Sequence, residues 1–350
     1  MLETIIRQMI RSRWIVMMGA LSICAFGAWN FQNLPIDAVP DITNVQVQIN
    51  TEAPGYSPLE SEQRITFPIE TTLAGLPQLS YTRSLSAYGL SQVTVVFEEG
   101  TDIYFARNLV NSRLSAIKNQ LPANLEPEMG PISSGLGEIF MYTVSAEEGV
   151  LQPNGEPYDL FALREIQDWI IKRQLILVDG VTEVNTSGGF EKQYHVKPDP
   201  AKMLLWGITL PELLSALRDN NINQGAGYIE RNGQQLMVRS PGQLKTIADI
   251  EQVSILSRNS IPVRVKDVAE VSIGKELRTG AGTHSGQEAV IGTAFMLLGE
   301  NSRTVAREVA AKLEEINTTL PDGVVAEPLY DRTVLVDNAI ATVEENLVVG

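Results

Sequence analysis

Few side chains in this sequence have the chemistry to bind a metal ion directly. Divalent ions such as zinc prefer histidine, cysteine or carboxylate ligands at short spacing. The 350-residue chain has two histidines, His195 and His284, and one cysteine, Cys24, and it contains no CxxC or HxxxH pattern. His195 lies in a strand-like segment and His284 in a glycine-rich turn, so both are interpreted as structural or surface residues. The sequence therefore predicts no closed metal site.

One carboxylate, Glu138, stands apart from the other acidic residues. It follows the glycine-rich segment GPISSGLG and opens the otherwise apolar run EIFMY. Two interpretations are open: a solvated glutamate at the start of a strand, or a carboxylate that faces a cleft between two domains. The nine methionines are scattered, which is typical of gap filling in cores and not of a Cu(I) path.

Catalysis and nucleic-acid binding are both disfavoured. No GxGxxG follows a strand-like run, and no Ser-His-Asp or Cys-His arrangement has the context of a nucleophile. We therefore expect no enzymatic activity and no cofactor. The chain has 42 acidic and 27 basic residues, a net charge of -15 that repels nucleic acid. A single cysteine allows no internal disulfide.

An apolar run from Trp14 to Phe31 contains no charged residue. At about 1.5 Å per residue a helix of this length measures about 27 Å, which just crosses a hydrocarbon core of about 30 Å. Arginines precede the run and aspartates follow it, which predicts a cytoplasmic N-terminus. A cleaved signal peptide is the alternative, but the run is longer than such peptides require. We expect an uncleaved membrane anchor with most of the chain outside.

The next hundred residues alternate between strand and helix periodicity. Strand patterns lie at 44–50, 79–85, 92–98 and 128–132, and helical patterns lie at 59–74 and 102–120, where Asp102 is a candidate N-cap. This succession predicts a β-α-β-β-α-β unit, the ferredoxin-like arrangement.

A second unit of the same kind begins at Glu138 and is interrupted. Its first half covers a strand at 138–145, a helix at 158–177 and a strand at 181–186, and its second half resumes only at 289–329. The insertion has β-α-β character of its own and contains Asn232-Gly233 between two strand-like runs, which is a strong hairpin signal. A long polar hairpin of this kind is typical of an arm that binds a partner.

Several segments of the chain resemble the heavy-metal efflux branch of the resistance-nodulation-division (RND) transporters, most closely pumps of the cobalt-zinc-cadmium type. The resemblance runs through the whole chain in order, and it is carried by the segments LPIDAVPDITNVQVQIN, TRSLSAYGLSQVTVVFEEGTD, GPISSGLGEIF, GAGYIERNGQQLMVRSPG, MLLGENSRTV and YDRTVLVDNAIATVEENL.

The resemblance implies an α+β membrane protein with a definite domain order. A cytoplasmic stub (1–13) and a transmembrane helix (14–31) precede two ferredoxin-like porter subdomains, one at 35–133 and the other at 134–187 with 283–330. A docking subdomain with the hairpin arm is inserted at 188–282, and a second transmembrane helix starts at 331–350. The segment 334–350 has 17 residues and contains Asp337, Glu344 and Glu345, so it is not a finished span. Because the resemblance implies a protein about three times longer, we expect the chain to be the N-terminal third of a pump, either as a fragment or as the product of a truncated gene.

The resemblance also implies a function and partners. It implies a proton-driven efflux pump for divalent zinc, cobalt or cadmium in the bacterial inner membrane, with the bulk of this chain periplasmic and in contact with lipid only at its helices. The pump would be a homotrimer that works with a periplasmic adaptor and an outer-membrane channel. Glu138 would be a ligand of the transport site. Two alternatives stay open: a membrane-anchored binding or scaffold protein without transport activity, and an RND exporter of organic compounds.

Overall fold

The computed structural model describes residues 10–32, 43–123, 125–231, 234–240, 242–258, 261–276, 278 and 280–349. The chain divides into two compact units. The first unit comprises Met1–Pro157, Ile166–Ser187 and Gly282–Gly350, and the second comprises Tyr158–Glu165 and Gly188–Ala281.

The first unit begins with a helix, α1 (Arg13–Gln32), at the position of the predicted apolar helix. Its large apolar side chains are exposed, among them Trp14, Leu21 and Trp29. Among the helices of the described residues, none combines the length and the apolar character that a membrane crossing requires. The two spans predicted at 14–31 and from 331 onward are therefore not confirmed.

The first sheet of this unit contains four antiparallel strands in the order β2-β3-β1-β4. Its strands and helices, in chain order, are β1 (Gln46–Glu52), α2 (Pro58–Ser61), α3 (Phe67–Leu73), β2 (Leu79–Ala87), β3 (Leu90–Phe97), α4 (Ile103–Ile117) and β4 (Glu128–Met129). The β-α-β-β-α-β succession predicted for this region is present.

Local sequence explains where these elements begin and end. Asp102 caps α4, because its carboxylate accepts a hydrogen bond of 2.7 Å from the Phe105 amide. The fourth strand is shorter than the predicted 128–132, since Pro131 has no amide hydrogen to donate to a neighbouring strand. Strand β1 buries Val47 and Ile49 completely against the helices. This burial stabilises the fold by about 1.5–3 kcal/mol for each side chain.

The helical segment between β1 and β2 contains a π-helical turn (Glu62–Thr66) that the sequence pattern did not predict. Pro68 follows it and cannot donate the usual helical hydrogen bond, so the wider turn, closed by the Phe67 amide on the Glu62 carbonyl, accommodates the proline. The turn places the buried Thr66 hydroxyl 2.7 Å from the Ser91 hydroxyl of β3.

The chain then starts a second sheet. Its first elements are β5 (Glu138–Ala146), α5 (Leu160–Ile166), a π-helical turn (Gln167–Ile171), α6 (Lys172–Leu175) and β6 (Val181–Ser187). The aromatic rings of Phe140 and Tyr142 on β5 are fully buried and lie 6.4 Å apart.

Within 188–281 of the second compact unit, the described residues form three antiparallel strand pairs and four short helices. These elements are β7 (Lys192–Pro198), α7 (Pro200–Trp206), α8 (Leu210–Asp219), β8 (Gln224–Arg231), β9 (Gln234–Ser240), α9 (Ile247–Gln252), β10 (Ser254–Arg258), β11 (Ile261–Arg264), α10 (Val265–Val268) and β12 (Ala269–Lys275). The pairs are β7 with β12, β8 with β9, and β10 with β11. Strands β8 and β9 form the predicted hairpin, whose turn, Asn232-Gly233, lies outside the described residues.

The chain returns to the second sheet after this unit. The remaining elements are β13 (Thr283–His284), β14 (Gln287–Glu288), β15 (Val290–Met296), α11 (Ser302–Asn317), β16 (Val324–Asp331) and α12 (Arg332–Val349). The sheet order is β16-β5-β15-β6. Counted within each subdomain, both sheets therefore have the order fourth, first, third, second strand, and the fold of the first unit is a repeated mixed α and β arrangement.

Candidate metal-binding cleft

Two adjoining cavities lie between the two sheets of the first compact unit. Their volumes are about 660 Å³ and 330 Å³, and both are lined by Asn50, Pro131 and Glu183. The larger cavity is also lined by acidic side chains, namely Glu52, Glu126 and Glu128. Together they form one cleft, which we call the inter-sheet cleft.

Strand β1 forms one wall of the inter-sheet cleft with its polar face. Because side chains alternate along a strand, the burial of Val47 and Ile49 leaves Gln48 and Asn50 on the opposite face. The Gln48 Nε2 atom donates a 3.0 Å hydrogen bond to Asn50 Oδ1, and Gln92 Nε2 donates a second one of 3.2 Å. These bonds fix an array of neutral amides on this wall.

Strands β6 and β15 form the opposite wall through Glu183, Asn185 and Phe295. Phe295 lies opposite Glu183 on one side and opposite Glu138 on the other, so all three side chains share one face of the sheet. The register shifts on both sides of Phe295, between Ala294 and Phe295 and between Phe295 and Met296. Such irregularities change the direction of a side chain relative to a regular strand.

Glu138 itself is exposed at the start of β5 and is not among the described residues that line the two cavities. A tight turn precedes it, in which the Gly137 amide donates to the Ser134 carbonyl at 3.0 Å. A Cβ atom on Gly137 would lie 3.0 Å from that carbonyl oxygen and 3.2 Å from Ser133 Cβ. A side chain at this position would be crowded, and the turn fixes the backbone from which Glu138 projects.

The structure does not bring the two histidines to this cleft. His195 lies on β7 of the second unit with its ring directly over Gly274, and a Cβ atom at Gly274 would overlap the ring in its present position. His284 is exposed on β13. Within the part of the chain that the structure describes, no three histidine, cysteine or acidic side chains lie close enough together to hold a metal ion.

Sequence reasoning did not identify Glu183, Asn50 and Gln48 as cleft residues. The alternation in NVQVQIN contained part of the signal, because it separates a polar face from an apolar one. Glu183 had no comparable signal. Its position depends on the pairing of β6 with β15, two strands that the residues of the second compact unit separate in the sequence.

A family model described as the AcrB/AcrD/AcrF family matches residues 5–350. The chain belongs to this family. The resemblance to heavy-metal RND transporters that the sequence segments indicated is thereby confirmed, and relatives and solved structures agree with it.

Several curated relatives match the whole chain, among them the following two. The chain is 59% identical to Protein HelA of Legionella pneumophila and 55% identical to the cobalt-zinc-cadmium resistance protein CzcA of Cupriavidus metallidurans. Each match covers 100% of this chain and 33% of the relative, so the chain spans about a third of their length.

A solved structure described as a heavy metal efflux pump is similar in fold. It has a TM-score of 0.86 and 31% identity, over 96% of this chain and 33% of the other. An efflux pump is a transporter and not an enzyme, which is what the description of this solved structure says of that protein.

Proposed function

We propose that this chain is the porter and docking portion of a proton-driven RND efflux pump that exports divalent zinc, cobalt or cadmium. The names of the relatives support a metal cargo, because one is a cobalt-zinc-cadmium resistance protein and one solved neighbour is a heavy metal efflux pump. We propose the subdomain boundaries that the sequence predicts, with porter subdomains at 35–133 and at 134–187 with 283–330, and a docking subdomain at 188–282.

The chemistry of the inter-sheet cleft is the observation that carries this proposal. Most side chains that line it carry an amide, a hydroxyl or a carboxylate; the apolar ones among the described lining residues are Pro54, Met129, Pro131 and Phe295, of which only Phe295 is aromatic. A hydrated cation interacts well with such walls, because they offer negative charge and hydrogen-bond acceptors. An exporter of apolar organic compounds would need a largely aromatic or aliphatic cleft. The cleft therefore favours the metal pump over the organic exporter.

Glu138 is proposed as a metal ligand at the rim of this cleft. It is exposed, on the same sheet face as Phe295 and Glu183, and its backbone is fixed by the Gly137 turn. Further ligands to the same ion would come from the part of the pump that this chain does not include. Such an open arrangement suits a transported ion, which must be released as well as bound.

The remaining proposals concern location and assembly. We place the intact pump in the bacterial inner membrane, with a cytoplasmic N-terminus and with the porter and docking subdomains in the periplasm. The exposed apolar side chains of α1 suit contact with lipid or with other helices. Protons would be carried by carboxylates outside this chain. A homotrimer would bind a periplasmic adaptor and an outer-membrane channel, and the β8–β9 hairpin would be the arm that reaches another subunit.

Metal tolerance of a sensitive bacterial host tests this proposal. The intact protein, expressed with its adaptor and channel, should raise tolerance to zinc, cobalt or cadmium, and Glu138→Ala should lower that tolerance. Glu327→Ala is the matched control, because Glu327 is an exposed glutamate on β16 of the same sheet and away from the cleft.

Three outcomes would contradict the proposal in different ways. Unchanged tolerance to all three metals, with altered tolerance to organic toxins, would favour an exporter of organic compounds. Unchanged tolerance to both classes would favour a scaffold without transport activity. Full metal tolerance of the Glu138→Ala protein would refute the ligand role of Glu138 alone.

A further inference from the structure

The two sheets of the first compact unit are joined by residues 130–137, which we call the connecting segment. It runs from the end of β4 to the start of β5 and forms one side of the inter-sheet cleft. The larger cavity is lined by Gly130 and Pro131, and the smaller one by Pro131, Ser133, Ser134 and Gly135. Because the chain crosses from one sheet to the other here, the conformation of this segment affects the distance between the walls of the cleft.

The first end of the connecting segment is held by the first sheet and by helix α4. The Gly130 amide donates a 2.8 Å hydrogen bond to the Gln48 carbonyl of β1. The Gly130 carbonyl accepts a 2.6 Å bond from Nη1 of Arg107, a half-buried residue of α4. A hydrogen bond from a charged guanidinium group is about twice as strong as one between neutral groups. Both polar groups of the Gly130 backbone are therefore bound to the first sheet or to the helix that packs on it.

The rest of the connecting segment is held by the second sheet. The Ile132 carbonyl accepts a 3.1 Å hydrogen bond from the amide of Leu298, just after β15. The Gly137 carbonyl accepts a 2.8 Å bond from the Met296 amide, and the Gly137 amide donates to the Ser134 carbonyl. From Ile132 onward the chain therefore moves with the second sheet.

Pro131 lies between these two attachments. It is exposed, and its ring fixes φ at about −65° and leaves no amide hydrogen for a bond to a strand. The peptide bond that follows it is planar. A change of angle between the sheets is thus concentrated in two rotations, about the Pro131 Cα–C bond and the Ile132 N–Cα bond. So few free torsions restrict the movement to a narrow set of directions.

We propose that Pro131 is the pivot about which the two sheets open and close the inter-sheet cleft. Arg107 is the positioning residue of this pivot, because its bond keeps the Gly130 carbonyl with the first sheet. Pro131 lines both cavities, so one rotation widens or narrows them together. This inference rests on the proposed function, which makes the cleft the path of the cargo, and adds to it the movement that opens this path.

Distances between two spin labels on the intact pump test the inference. The labels are attached to cysteines that replace Ser84 on β2 and Glu327 on β16, in a background without other reactive cysteines. Both positions are exposed and lie on the outermost strands of their sheets, where a rotation at Pro131 causes a large displacement. Labelled subunits are mixed with an excess of unlabelled ones, so that pulsed electron-electron resonance reports the distance within one subunit.

Two variants should loosen the pivot. Arg107→Gln should widen the distribution of distances roughly 1.5-fold, because the Gly130 carbonyl loses its charge-assisted bond. Pro131→Gly should widen it by at least as much, since φ of this residue is then free. Pro131→Gly is also the second test if Arg107→Gln does not fold, because it removes no bond to either sheet.

Two further variants separate this role from a general effect of charge. Arg107→Lys keeps a charged donor and should restore most of the wild-type width. Arg113→Gln is the matched control, because Arg113 is an exposed arginine on the same helix, and it should leave the width unchanged.

An unchanged width in both the Arg107→Gln and the Pro131→Gly proteins would overturn the inference. An equal widening in the Arg113→Gln protein would overturn the role of Arg107. A failure of the proposed function is distinguishable from these results, because the distances are measured without transport. A pump that exports no metal, yet shows the widening in both variants, would retain the pivot and lose the proposed cargo.

Discussion

The close contact between Gly292 and Tyr142 yields a quantitative prediction about the second sheet. Gly292 lies on β15, three residues before Phe295, and Tyr142 lies beside it on β5. A Cβ atom on Gly292 would overlap the tyrosine side chain, with Cε2 at 2.6 Å and with Cζ and the hydroxyl oxygen closer. Normal contacts of such an atom are about 1 Å longer, and Tyr142 is completely buried. The ring therefore has no free space into which it can move.

We expect Gly292→Ala to destabilise the protein by about 3 kcal/mol, at the upper end of the range for overpacked cores. For a unit of this size the melting temperature should fall by about 6–12 °C. Thermal unfolding of the intact protein measures this shift. Gly280→Ala is the control, because a Cβ atom there meets no other atom within 4 Å.

A double substitution tests whether the tyrosine ring is the cause. Tyr142→Ala alone should cost about 3–5 kcal/mol, as for other large aromatic residues in cores. In the Gly292→Ala, Tyr142→Ala protein the overlap is removed. The loss in free energy of unfolding should therefore be at least about 1 kcal/mol smaller than the sum of the losses in the two single variants. Strictly additive effects, or a Gly292→Ala protein that melts within 1 °C of wild type, would refute this account of the packing.

Three other predictions concern stability. Burial raises the pKa of the Tyr142 hydroxyl, so this group ionises in the unfolded chain before it ionises in the folded protein. The contribution of this group to the free energy of unfolding should be complete below about pH 10 and fall above it by at most about 1.4 kcal/mol per pH unit. Alkaline unfolding experiments measure this dependence, which Tyr142→Phe should reduce. Asp102→Ala should cost about 1 kcal/mol in thermal unfolding, because the Phe105 amide loses its cap; an unchanged melting temperature would contradict the capping role. The Asp337 carboxylate lies 2.5 Å from Arg303 Nε and 3.2 Å from Arg307 Nη2, and all three side chains are about a third or more exposed. Asp337→Asn should therefore lower the free energy of unfolding by no more than about 1 kcal/mol. This difference from wild type should vanish in about 1 M salt, which screens the charges. A difference that persists at high salt would refute the electrostatic origin.

The sequence pattern predicted the local elements of the fold well, because each depends on neighbouring residues. Alternation located β1, and the capping chemistry of Asp102 located the start of α4. The π-helical turns at Glu62–Thr66 and Gln167–Ile171 escaped prediction. Each adds about one residue to a single turn, and a periodicity of 3.6 taken over a whole helix does not reveal so local a change.

The candidate site was only partly predictable, because it depends on long-range pairing. Glu138 was identified by its own segment and by a family resemblance. Glu183 is distant in sequence from Phe295 and comes to lie opposite it only when β6 pairs with β15. Neither the register shifts around Phe295 nor the depth of the cavities follows from the order of residues along one strand.

Transport by the reconstituted intact pump tests the central claim most directly. The protein is placed in lipid vesicles with an imposed proton gradient, and the movement of Zn²⁺ is followed with an encapsulated fluorescent indicator. We predict zinc transport that requires the gradient, that falls in the Glu138→Ala protein and that is normal in the Glu327→Ala protein. Vesicles that move organic dyes under the gradient but neither Zn²⁺, Co²⁺ nor Cd²⁺ would contradict the assignment of this chain to a divalent metal pump.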